Sequence, residues 1–157
     1  MTPRDLDTVL DVFTAMQKSA LLLQQFYKKC AVFYLEHNAT FLDLSQDVEG
    51  FVRAVEDMRI LVFDHPDQFT INESLGKTSL AVGQLTSELQ YKETEIKRKH
   101  IPDTEVLRFS QDMETMILEA DYPGLLSSNN PAYSKAVAEI PRLSEQRLSL
   151  ITTHLPA

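Results

Sequence analysis

A single cysteine, Cys30, is the only thiol in 157 residues. That excludes a disulfide framework, a paired-cysteine metal site and a Cys-x-x-Cys redox motif, and it suits a reducing compartment. Cys30 itself is expected to serve as a small buried apolar residue, since a reactive thiol needs an accessible, electropositive setting. Glycine is almost as scarce, with four in the chain, so little interrupts a helical pattern and little strand is expected. Long apolar runs are missing too. Ala20 to Leu23 is the longest block in its region and glutamines follow it, well short of the roughly eighteen residues that a membrane-spanning helix needs. Met1 to Phe13 carries Asp5, Asp7 and Asp11 and so lacks the basic and then apolar layout of an export signal. A cytoplasmic protein is the resulting expectation.

Positive charge is also in deficit. The formal net charge of -8 repels a polyanion over most of the surface, so nucleic acid is not an expected partner. The basic run Lys92 to His100, KETEIKRKH, reads as a solvated helix end rather than a phosphate-binding patch. Asn38-Ala39-Thr40 and Asn72-Glu73-Ser74 match glycosylation acceptors by coincidence, because nothing in the chain directs export.

What remains is ordinary globular composition, 43% hydrophobic and 24% charged, in a length suited to one domain. Apolar residues recur in steps of three and four almost throughout, predicting five helices over about 3–36, 39–62, 72–95, 103–122 and 131–153. The second is the most regular, with Phe41, Leu44, Val48, Phe51, Val55, Met58 and Val62 on one face. Asn38 or Thr40 is expected to cap it, and Asp103 or Thr104 to cap the fourth. Pro141 should kink or split the fifth. A tight hairpin between the first two helices and a longer middle connection give an all-α fold, a four-helix bundle with a crossover helix.

The segment SALLLQQFYKKCAVFYLEHNATFLDLSQDVEGFVRAVEDM, Ser19 to Met58, resembles the first helix pair of ferritin-like proteins of the rubrerythrin-related kind. PDTEVLRFSQDMETMILEADY and NNPAYSKAVAEIPRLSEQRLSLITTHL resemble the second pair. The resemblance implies, from each pair, a glutamate on one helix and a Glu-x-x-His on the next, converging on two iron or manganese ions. This chain departs from that pattern. Val12 to Leu35 contains no acid, Val48 and Phe51 hold the Glu-x-x-His spacing on the second helix, and Leu143 and Arg147 stand at the comparable places on the fifth. Only Glu114 matches an expected ligand, too few for a divalent ion. The resemblance therefore implies a bundle whose dimetal centre has given way to apolar packing, with no cofactor expected.

Other candidates have plain readings. Glu114 and Glu119 suit an acid and base in a cleft, but exposed acids or a helix–helix ion pair explain them as simply. His37, His65, His100 and His154 fall at predicted helix ends, where they meet the dipole, though converging termini would also allow a metal site. Tyr27, Tyr34, Phe41 and Phe51 either line an apolar pocket or fill the core that a lost metal centre leaves. The leading functional expectation is a non-catalytic module that packs against a copy of itself or a protein partner. The alternative is a metal-bearing oxidoreductase or carrier with an unusual site around Glu114, reopened if the register of the fifth helix shifts to bring Glu145 inward.

Overall fold

The computed structural model describes residues 1–156. Its helices are α1 (Pro3–Phe33), α2 (Asn38–Asp64), α3 (Leu75–Arg98), α4 (Asp103–Glu119) and α5 (Pro131–Thr153). Two three-residue strands, β1 (Phe69–Ile71) and β2 (Leu126–Ser128), pair antiparallel. The all-α expectation holds, and this small ribbon is its one exception among the described residues. It ties the α2–α3 connection to the α4–α5 connection.

Local chemistry sets the ends. Thr2 and Asp5 form a reciprocal capping box at α1, and the Asn130 side chain accepts the Tyr133 N–H at 3.1 Å to start α5. The caps expected at α2 and α4 do not form. Asn38 donates to the Ala31 carbonyl at 2.8 Å, closing the end of α1, while Thr40 bonds His154 at 3.0 Å. Asp103 lies inside the first turn of α4. α4 ends at Glu119 because Asp121 turns left-handed, with φ 54°. α5 runs unbroken through Pro141, so the expected split is absent.

Residue pairs fix the directions. α2 and α5 are antiparallel, since Thr40 meets His154, Asp47 meets Arg147 and Gly50 meets Leu143. α4 and α5 are antiparallel through Glu114–Arg147 and Gln111–Thr152. α2 and α4 are therefore parallel. α3 opposes α4, with Thr78 on the Ala120 carbonyl and Lys92 over the Phe109 ring, and so travels back along the length of the bundle between them. The helices pack in the ring α1, α2, α5, α4, α3 around one apolar cluster. Cys30 is buried as expected, and α1 also covers Val9, Val12 and Phe26, because α3 packs on a second side.

Gly83 is exposed on α3 with open space around its Cα, so Gly83→Ala is expected to stabilise the fold by about 0.5–1 kcal/mol, read from thermal unfolding. Gly50 does not share that freedom, because a Cβ there would overlap Leu143 on α5.

The basic run is a paired helix end. Lys92 and Lys99 meet Glu95 at 2.8 and 3.8 Å, and Lys97 shares Glu93 with Lys29 of α1. The Lys29 hydrogen bond holds the Glu93 carboxyl below its ordinary 4.5. The folded chain thus binds this proton more weakly than the unfolded chain does, and the stabilisation is complete above 4.5 and lost as pH falls through the lowered value. Urea midpoints at pH 6 and pH 3.5 should show the loss, and Glu93→Gln should shrink it.

Candidate functional site

The position where four helices converge is charged, contrary to the expected apolar packing. Glu114 on α4 is fully buried, and its carboxylate accepts three side-chain hydrogen bonds: from Tyr27 of α1 at 2.5 Å, from Ser144 of α5 at 2.8 Å and from Arg147 Nε at 3.0 Å. Arg147 is also buried and reaches Asp47 of α2 through Nη1 at 2.6 Å. α1, α2, α4 and α5 thus each contribute one side chain or more.

Helical spacing builds the site. Ser144 and Arg147 lie three apart on α5 and present one face. Tyr27 falls on the inward stripe of α1. Arg147 was legible only as a residue that cannot bind metal; its burial follows from the acid opposite it. Arginine carries its charge on a long stem that can cross a bundle, and a buried charge requires a partner.

Electrostatics fit a locked pair. Burial opposes the charge on Arg147, yet Glu114 beside it holds the guanidinium pKa above its ordinary value. Burial pushes the Tyr27 phenol well up, and the Glu114 carboxylate adds to the effect, so Tyr27 stays a neutral donor. Partial burial raises the Asp47 carboxyl against the pull of Arg147. Arg147 Nη2 has no hydrogen-bonding partner, and the guanidinium carbon lies 5.9 Å from the Phe51 ring centre, within cation–π range.

The other candidates resolve simply. Val48 and Phe51 are fully buried and Leu143 nearly so. Tyr27, Tyr34, Phe41 and Phe51 are core; ring contacts of 6.2 Å for Tyr27–Phe41 and 6.3 Å for Tyr34–Phe41 link the first three, and Phe51 packs on Tyr122. Tyr34 donates to the Ile101 carbonyl at 2.8 Å, and burial lifts its phenol to about 12. Glu119 and Glu145 are exposed, so the register shift that would bring Glu145 inward does not occur.

Comparison with protein families, curated proteins and solved structures finds no match. Glu114 and Arg147 neutralise one another out of reach of solvent, whereas an acid–base catalyst must touch a substrate. The Glu114 carboxylate is already committed to three donors.

Sequence reasoning missed a surface. Between α2 and α5 runs an open groove of 530 Å³, with Gly50, Ala54, Ala132 and Ala136 among its lining residues. Its signal was present as small residues at helical spacing on both elements.

Proposed function

We propose that the chain is a ferritin-like, rubrerythrin-related bundle in which an arginine–glutamate pair takes the place of a dimetal centre, and that it acts as an interaction module pairing with a second copy of itself. The connectivity supports the first half: two antiparallel hairpins, α1–α2 and α4–α5, are joined by a crossover helix that leaves α2 and α4 parallel. A cation at the centre is retained in the form of a guanidinium, and the surrounding donors are those that satisfy it.

The observation that carries the second half is the groove. Its small residues leave a trough for another helix surface, and Arg53, Asp57, Lys135 and Glu139 also line it. Because α2 and α5 are antiparallel, Arg53 lies across from Glu139 and Asp57 across from Lys135. A two-fold axis in the plane of the groove, along it or across it, sets each positive residue of one copy against a negative residue of the other. Isologous contacts require such self-complementarity. No helix among the described residues is long and apolar enough to cross a membrane, so bilayer burial by a spanning helix does not account for the groove.

Light scattering over a concentration series tests this. A dimer is expected, and Ala132→Glu, at an exposed position in the groove, should convert it to monomer with an unchanged circular dichroism spectrum. A wild-type monomer at about 100 μM, well above typical affinities for specific pairing, would overturn the pairing. The iron- or manganese-bearing alternative needs Glu114 as a ligand. Near-stoichiometric iron or manganese in untagged protein, lost in Glu114→Gln, would establish that alternative instead.

A further inference from the structure

The connectivity gathers three of the four histidines at one end of the bundle, away from the Glu114 centre. The α1–α2 turn, the α3–α4 turn and the end of α5 meet there, whereas His65 lies at the opposite end of α2. Glu36 and His37 sit in the single 3₁₀ turn Leu35–His37, and Asp103 opens α4. Side-chain ligand atoms of Glu36, His37 and Asp103 all lie within 4.8 Å of one another. They border an open cleft of 380 Å³ that His100 also lines.

We propose that Glu36, His37 and Asp103 form a binding site for a single divalent transition-metal ion of the zinc class, with His100 at hand as a further ligand. The site is independent of the proposed self-pairing, which uses another face. Around a tetrahedral ion with bonds of about 2.0–2.2 Å, neighbouring donor atoms are about 3.4 Å apart, so the three groups need only small side-chain rotations to converge. Glu36 is exposed and free to rotate. His37 Nε2 and Asp103 Oδ2 stand 2.9 Å apart, and an ion entering between them replaces the shared proton.

The surroundings hold the ligands in place. The Thr104 N–H donates to Asp103 Oδ1 at 2.8 Å, leaving Oδ2 turned toward His37. The His154 ring meets His37 edge-on with centres 5.7 Å apart, and its Nε2 is tied to Thr40 at 3.0 Å. The anchored His154 ring thus packs against the His37 imidazole and limits its rotation. The imidazole selects zinc, cobalt, nickel or copper over magnesium and calcium, which prefer oxygen alone. Three protein ligands leave a fourth position toward the cleft, where His100, water or an exchangeable group would bind.

Titration of chelator-treated full-length protein with cobalt(II), followed by its visible absorption and by zinc competition calorimetry, tests the site. One equivalent is expected, displaced by zinc and indifferent to excess magnesium. His37→Ala and Glu36→Gln should each weaken uptake at least tenfold, and His65→Ala should leave it unchanged. Should His37→Ala misfold, the exposed Glu36→Gln and the half-exposed Asp103→Asn decide the matter. Absence of saturable uptake, or uptake equal to wild type in Glu36→Gln and Asp103→Asn, would overturn the assignment.

Discussion

Arg147→Met is expected to cost about 3–5 kcal/mol, against a total stability of about 5–15 kcal/mol for a domain of this kind. The loss arises from what stays behind. Glu114 keeps Tyr27 and Ser144 as donors but loses its compensating charge at zero exposure, and Asp47 loses its partner at the margin of the core. Methionine fills much of the volume of the arginine stem, so packing contributes less than charge. Urea unfolding at neutral pH gives the value directly. A change below about 0.5 kcal/mol would mean that solvent reaches Glu114, and the locked-pair account would fail.

A multiple variant separates structure from chemistry at the same place. Replacing Glu114 and Arg147 together by leucine removes both charges but strands the Tyr27 hydroxyl, at about 1–3 kcal/mol. Adding Tyr27→Phe removes that penalty as well. The triple variant should recover most of the loss seen in Arg147→Met, because apolar substitutes for a buried ion pair are often neutral or stabilising. The groove lies outside this network, so the triple variant should also pair as the wild type does. Recovery of the fold without recovery of association would point to the charged centre as part of the function.

Much of this architecture was legible because a helix writes its buried face into the sequence every three to four residues. α5 was readable from Pro131 to Thr153 and α2 within two residues at each end. The misses have two causes: periodicity reports burial but not what a polar residue touches, and pairing between distant segments leaves little local signal. Asn38 and Thr40 looked like caps and instead serve α1 and His154, partners set by how the turns meet. The β1–β2 ribbon joins segments more than fifty residues apart and leaves no local trace beyond a short alternation. At the centre, the absence of acid or imidazole at Val48, Phe51, Leu143 and Arg147 was visible residue by residue. The ion pair that stands there was not, because Arg147 and Glu114 acquire meaning only when α4 and α5 are set side by side. Likewise the four histidines looked equivalent until topology put His37 and His154 together and left His65 apart.

Phe51→Ala is expected to cost about 3–5 kcal/mol, the range for a large aromatic removed from a closed core. Phe51 has no exposure, its ring lies 5.9 Å from that of Tyr122, and it faces the Arg147 guanidinium at the same distance. Truncation therefore removes apolar burial and a cation–π contact together. This result decides between the two readings of the aromatic cluster. Were Tyr27, Phe41 and Phe51 the walls of a vacant ligand pocket, shortening one wall would enlarge an existing space and cost far less. As packed core, the protein should instead acquire a new cavity beside Arg147, and a small apolar probe such as benzene should restore part of the lost stability in Phe51→Ala while leaving wild type unaffected. Stabilisation of the wild type by the same probe would show that the aromatics already enclose a binding site.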